Sequence, residues 1–446
     1  MWERLRSIWT VPDLRNKILF TLGILIIFRI LAHITVPLTH QEQLNLNRLF
    51  QGQGDKNLGQ LLGLLDVFSG GSLQTFSIVA LGVYPYITAT IVMQLLQPII
   101  PALENMLREG EAGRLRFSQI TRIVAVPLAF LQALGQTAIF VRVGVLDQST
   151  FGLFGPNWLE TLAILLSLTS GTMILVWLGE LITENGIGNG ISIIIFGGIV
   201  SRLPGLIQQG FLASTNSGGG GSGIVSIVVF CIIGLLTILG IVYIYQGQRR
   251  VPIEYPTKRM VGRGLLVGTA QRTYIPMQVN SAGMIPLIFA QSMLIFPAVL
   301  SQYLVSSDNK VLAGIAGWIG TYLVNTSLWW YWAGYFLLVV AFTYFYAYVV
   351  WQQQNIPENL QKQGAHIPGY RPGETTRKHL NEILNRITLA GALFLGIVAV
   401  LPYVSRVGGN QLLSSAALLI VVGVVLDTVR QLEAQMVMRN YSGFLS

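Results

Sequence analysis

The stretch LETLAILLSLTSGTMILVWLGELITENGIGNGISIIIFGGIVSRLPGLIQ, residues 159–208, decides the class of fold. It holds two apolar runs, 159–181 and 190–208, each close to the roughly 20 residues a helix needs to cross about 30 Å of hydrocarbon. The glycine pattern between them, Gly186–Gly190, superficially suggests nucleotide binding. It follows an apolar helix rather than a strand, so a dinucleotide fingerprint fails on context and a tight turn between two spans explains it.

Working outward, eight further apolar runs lie near 18–36, 78–100, 120–141, 224–245, 282–304, 328–350, 387–403 and 411–429, which makes ten. The composition agrees. Charged residues are 11% of the 446 and mean hydropathy is +0.60, whereas soluble domains carry about 25% charge. So little polar material cannot cover a soluble fold of this size, and the long apolar runs exclude disorder. The expected fold is an all-α polytopic membrane protein of ten transmembrane helices.

Charge then orients the spans. With both ends in the cytoplasm, inside segments hold 21 Lys and Arg and outside segments six, with Arg29 inside the first span. That asymmetry follows the positive-inside rule and predicts cytoplasmic N and C termini. The first 17 residues lack a compact apolar core and a small-residue cleavage site, so no cleavable signal peptide is expected there. Trp2, Leu5, Ile8 and Trp9 recur at helical spacing. Residues 1–17 read either as an amphipathic segment along the inner surface or as a basic tail that only orients the first span.

Five spans (18–208) precede the Gly/Ser-rich external connection at 209–223 and five follow it (224–429), leaving a tail at 430–446. An odd number per half reverses the second half across the membrane, the arithmetic of an inverted repeat. Two inside loops, 246–277 and 352–385, carry 11 of the 21 inside cations if Arg386 is included. They exceed what a connection needs, which points to docking. The first is rich in Val, Ile, Tyr and Thr and predicts a projecting hairpin. On the outside, residues 61–73 are too short to span and are broken by Ser69, Gly70, Gly71 and Ser72. Both a re-entrant element buried by protein and a surface-lying helix fit that pattern.

Catalytic and coupling chemistry is sparse. Four histidines and Cys231 form no metal-ligand spacing, and no nucleophile–base pair or phosphate loop is present. No cofactor is expected, and the chain does not read as an enzyme. Few ionisable residues fall within the spans: Arg29, His33, Glu160, Glu180 and Asp427. Ion-driven transporters need such groups at the midplane, which disfavours the alternative of an inverted-repeat secondary transporter. A purely structural scaffold is the other alternative. Arg29 is expected to pair with backbone carbonyls or to snorkel.

Six blocks resemble a known family: FSGGSLQTFSIVALGVYPYITATIVMQLL (68–96), ITENGIGNGISIIIF (182–196), GQRRVPIEY (247–255), VNSAGMIPLIFAQS (279–292), ENLQKQGAHIPGYRPGE (358–374) and NRITLAGALFLG (385–396). In order and spacing they are similar to the SecY family of bacterial protein-translocation channels. The resemblance implies two inverted five-helix halves around a central pore, with a lateral opening to lipid. It implies a pore ring at Val83, Ile87, Ile191, Ile195, Ile288 and Ile420, where Val83 departs from the commoner isoleucine but keeps the β-branched shape. It implies a plug at 61–73 including Leu62, Leu64, Leu65, Phe68, Ser69, Gly70 and Gly71, and lateral-gate positions Gln132 and Asn280. Docking is implied at Arg249, Arg250, Lys258, Arg259 and Arg371. The implied partners are the small membrane subunits SecE and SecG, the motor ATPase SecA, the ribosome, secretory precursor polypeptides and the lipid bilayer. The implied location is the bacterial plasma membrane.

Overall fold

Apolar length rather than amphipathic patterning makes these helices. The computed structural model describes residues 12–36, 45–46, 66, 69–97, 99–142, 144–146, 158–216, 222–261, 265–283, 285–291, 293–294, 297, 314, 317–319, 328–371, 373–405 and 415–442. Helix α1 (Pro12–Leu31) opens on a proline with Asp13 in its first turn and ends with Arg29 in its last. Proline suits the first helical position, and both charges complement the helix dipole. There follow α2 (Tyr84–Leu96), α3 (Pro101–Arg108), α4 (Glu111–Arg142), α5 (Trp158–Asn185), α6 (Gly190–Asn216) and α7 (Ser222–Gln246). The hairpin β1 (Gln248–Val261) and β2 (Leu265–Gln278) comes next, then α8 (Trp329–Gln354), α9 (Ile356–Lys362), α10 (Glu374–Ser405) and α11 (Ser415–Ser442).

Among the described residues, α4, α5, α8 and α10 are long and apolar enough to cross a membrane; the pair α2/α3, bent by 103°, makes a fifth if counted as one span. Several boundaries differ from the hydropathy reading. The run at 78–100 yields helix only from Tyr84 to Leu96: residues 77–83 form turns that hydropathy cannot distinguish from helix, and Pro101 opens α3 in a new direction. The external connection expected at 209–223 is shorter, because α6 continues to Asn216 and α7 begins at Ser222. Loop 352–385 is substantially ordered by α9 and the first turns of α10. The tail at 430–446 is mostly a continuation of α11.

Two compact units result: Met1–Ile227 with Ser292–Tyr331 and Leu412–Ser446, and Val228–Gln291 with Trp332–Gln411. In the first, α5 packs against α1, α2, α4 and α6, and α11 packs on α6. The α5–α6 turn is fixed by local caps. Asn189 Oδ1 accepts the N–H groups of Ile191 (3.1 Å) and Ser192 (3.3 Å), and Thr183 Oγ1 accepts that of Gly190 (2.9 Å). These side chains satisfy donors at the helix start that have no intrahelical acceptor. Phe76 and Phe140 meet edge to face at 5.2 Å within a cluster that includes Leu73, Leu81, Leu165 and Leu168.

In the second unit, strands β1 and β2 pair from Gln248↔Gln278 to Val261↔Leu265, the hairpin expected from the loop's composition. Its base shares a core with α9 and α10: Val251, Ile253 and Met277 pack with Trp351, Leu360, Ile367, Leu380 and Leu384.

Gly171 on α5 tests how closely the first unit is packed. A Cβ there would stand 2.1 Å from the Ile78 carbonyl oxygen, whereas one at Gly23 of α1 meets nothing within 4 Å. Alanine favours a helix interior over glycine by roughly 1 kcal/mol. G23A is therefore expected to hold or raise the thermal midpoint of the detergent-solubilised protein, and G171A to lower it.

Candidate functional site

The non-helical segment between α1 and α2 concentrates most of the unusual geometry. Residues 34–36 run beside 76–78: Val36 N–H donates to the Phe76 carbonyl and Ile78 N–H to the Ile34 carbonyl, both at 3.0 Å. Ahead of this bridge, Gly71 N–H donates to the Asp66 carbonyl (2.9 Å), and the Ser69 hydroxyl donates to the same oxygen (3.1 Å). Gly70 has φ +69°, the left-handed region, and a Cβ on it would lie 2.6 Å from Gly198 Cα on α6. No side chain fits at that crossing, which explains the glycine at position 70.

Side chains tie this segment to two helices. Arg29 of α1 donates from Nη1 to the Gly70 carbonyl at 2.9 Å, the first of the two arrangements expected for it. Arg202 of α6 forms an ion pair from Nη1 to Asp66 Oδ2 and donates from Nη2 to Gln74 Oε1 at 2.7 Å. Asp66 Oδ1 accepts the Gln74 N–H at 2.8 Å. Arg202 is one of the six outside cations of the charge count, and nothing in the sequence around Asp66 points to it. No local spacing could have joined them, since the helix that carries Arg202 lies far along the chain.

Of the implied plug positions, Ser69, Gly70 and Gly71 form this turn, while Leu62, Leu64, Leu65 and Phe68 lie outside the described residues. The ring positions fall on several elements. Val83 caps the N-terminus of α2 and its carbonyl accepts the Ile87 N–H at 3.1 Å, so the two share a face. Ile191 and Ile195 have the same spacing at the start of α6, and Gly198, which meets Gly70, sits three residues beyond Ile195. Ile420 is buried on α11, and Ile288 is buried in the second unit.

Of the implied gate residues, Gln132 is half-buried and Asn280 buried, and each has one oxygen without a hydrogen-bond partner among the described residues. Gln132 of α4 donates from Nε2 to Thr88 Oγ1 on α2 at 3.4 Å, and its Oε1 has no partner among the described residues. Asn280 donates from Nδ2 to the Gly283 carbonyl at 3.1 Å, and its Oδ1 is likewise unpaired. An ion pair between Arg122 of α4 and Glu180 of α5 accounts for one carboxylate singled out in the sequence.

The implied docking residues assemble on one body. Arg250 lies over the Tyr274 ring, 4.9 Å from its centroid. Residues Glu254 and His366 exchange backbone hydrogen bonds of 2.9 and 3.0 Å, so the two inside loops, separate in sequence, are joined. Around that bridge Glu254 pairs with Arg272 (2.9 Å) and approaches His366 Nε2 at 3.7 Å. Arg371 is exposed, and its carbonyl accepts the hydroxyls of Thr375 (2.9 Å) and Thr376 (2.8 Å) at the start of α10. Arg249 pairs with Met277 in the hairpin register; Lys258 and Arg259 lie further out on β1, opposite Gly268 and Val267. Among the described residues, no group of His, Cys, Asp and Glu is arranged to hold a metal ion.

The family model for SecY matches residues 77–429. The chain belongs to the SecY family. It is 40% identical to the protein translocase subunit SecY of Mycobacterium bovis over 97% of both chains, and 40% identical to that of Streptomyces griseus over the full length of both. The Thermotoga maritima subunit is 39% identical over 100% of this chain and 98% of its own. Among solved structures, one described as "The structure of a protein conducting channel" superposes with a TM-score of 0.61 at 17% identity, covering 97% of each chain. "Sec61 in the Canine ribosome-channel complex from the endoplasmic reticulum" gives 0.58 at 17% identity, again over 97% of each. These structural likenesses establish a shared fold, and the SecY-family sequence relationship stands on the curated relatives.

The joined hairpin body depends on its apolar base more than on its surface charges. Leu380 is fully buried there, and truncating a buried leucine costs about 2–5 kcal/mol. Arg272 is 82% exposed, and ion pairs in water are worth about 1 kcal/mol or less. L380A is therefore expected to open the hairpin base to trypsin at Arg249 and Arg250, and E254A to leave the cleavage rate within about twofold of wild type.

Proposed function

We propose that this chain is the channel-forming subunit of a protein translocase. It passes unfolded secretory polypeptides across the plasma membrane and releases apolar segments sideways into lipid. The observation that carries the reading is identity near 40% with translocase subunits along essentially the whole chain. Ten spans in two inverted halves, with both termini cytoplasmic, are part of the same proposal and rest on the charge asymmetry and the span count.

In this reading Val83, Ile87, Ile191, Ile195, Ile288 and Ile420 form an apolar waist. A narrow apolar constriction excludes ions because shedding water in low dielectric is expensive for them. Aliphatic side chains can seal around a moving polypeptide without offering hydrogen bonds that would hold it. The segment carrying Ser69, Gly70 and Gly71 closes the outer side, and Gln132 and Asn280 border the lateral exit. Unsatisfied oxygens at those two positions suit a seam that opens, because separating it sacrifices fewer hydrogen bonds.

The basic hairpin and the Arg371 loop dock a motor ATPase or a ribosome, whose RNA and acidic surfaces they complement. Since the chain carries no phosphate loop, such a partner supplies the energy. SecE and SecG are the proposed small subunits, SecA the proposed motor, and the bacterial inner membrane the proposed site.

The test is reconstitution in liposomes with the small membrane subunits and the motor ATPase, scoring protease protection of a secretory precursor. R371E is expected to abolish protection while the complex remains assembled and folded. A charge pair placed at Ile87 and Ile191 is expected to change ion leak. Wild-type complex that leaves the precursor digestible would overturn the reading.

A further inference from the structure

The ionic cluster at Asp66 is foreign to an apolar channel and plays no part in the reading above. Asp66 is completely buried, with 0% of its side chain exposed, and Arg202 is 17% exposed. Around them the contacts close a ring: Arg202 binds both Asp66 and the Gln74 side chain, and Asp66 binds the Gln74 backbone. Arg29 adds a separate tether to Gly70 from α1. Three side-chain tethers from two helices thus converge on one short turn.

That turn and the residues that follow it carry costs of their own. Phe76 has φ +46°, a left-handed conformation that is strained for a bulky residue. The Ser72 and Ser77 hydroxyls are buried without a hydrogen-bond partner among the described residues. At Gly70 the backbone presses directly on α6. With strain on one side of the balance and concentrated ionic tethers on the other, the segment is held by those tethers rather than by its own conformational preference.

We propose that Asp66 and Arg202, with Arg29 as a second tether, form an electrostatic latch. It holds the Ser69–Gln74 turn against α1 and α6 while the channel is closed and lets go when a polypeptide passes. The inference rests on the channel reading and adds the side chains that set the threshold for opening. An ion pair suits this task because its strength depends on both partners staying out of water. Once a threading chain admits solvent, the attraction falls steeply with the rising dielectric.

The latch predicts an asymmetry that simple packing does not. Removing one member of a buried pair leaves the other uncompensated, which is worse than removing both. The stranded partner in R202Q is a carboxylate with no exposure, while in D66N it is a guanidinium that already reaches solvent. The full chain is reconstituted with its small membrane subunits, and ion leak is read beside protease protection of precursors with intact and defective signal sequences. R202Q is expected to raise leak on the order of tenfold, the ratio that corresponds to 1.4 kcal/mol, and to admit the defective precursor. D66N should leak less than R202Q, and D66N/R202Q should also fall below R202Q. R29Q, which keeps the ion pair, should raise leak only slightly.

If R202Q does not assemble, D66N and R29Q carry the comparison. Assembled D66N and R202Q variants with wild-type leak, or a double variant that leaks more than R202Q, would overturn the latch. Failure of the channel reading is a different result, because it appears as an unprotected precursor in the wild-type complex.

Discussion

A chain this poor in polar surface has to satisfy its backbone N–H and C=O groups from within, and helices do so automatically. The demand becomes difficult where the chain leaves the helix between α1 and α2. There the carbonyls of Ile34 and Phe76 take N–H donors across a two-residue bridge, and Asp66 takes the N–H of Gln74. Arg29 supplies a donor to the Gly70 carbonyl. Irregular backbone among apolar helices is therefore possible because α1 and α6 send charged side chains into it. Those same residues decide how firmly it is held, so solvation of the backbone and control of the turn are one problem.

Apolar and ionic closures have complementary properties. An apolar waist repels small ions but has no preferred state when a greasy segment enters it, since that segment offers the same surface as the waist itself. An ion pair discriminates in the other sense, weakening as water arrives. If Ile195 serves the proposed waist, its place three residues before Gly198 puts the two proposed closures within a turn of each other on α6. A displacement of α6 at one would then be felt at the other, because Gly70 meets α6 through its backbone.

Much of this was legible in the sequence, and the limits have physical causes. Apolar length located α4, α5, α8 and α10 because a membrane span is defined by length and hydropathy. It failed at 77–83 because turn residues such as Ile78, Val79, Leu81 and Val83 are as apolar as the helix that follows. Hydropathy records what is buried, not which dihedral buries it. The hairpin was legible from β-branched residues flanking prolines. Its joint to His366 was not, because that joint is made by backbone groups that every residue carries. Arg29 was identified because a cation in an apolar run has few choices. Asp66 and Arg202 were missed because each looks ordinary alone, and only the fold reveals that one neutralises the other.

The joint between the two inside loops bears on how force reaches the spans. A motor or ribosome that pushed on a hairpin hinged at Gln248 and Gln278 would bend the hairpin before it moved a helix. The shared core of Val251, Ile253 and Met277 with Leu360, Leu380 and Leu384 removes that hinge, because α10 continues from the hairpin body through Ser405 without a break. Interiors packed at crystalline density have low compressibility and transmit displacement. A load applied to the base of the hairpin would therefore pass into α10 rather than bend the hairpin.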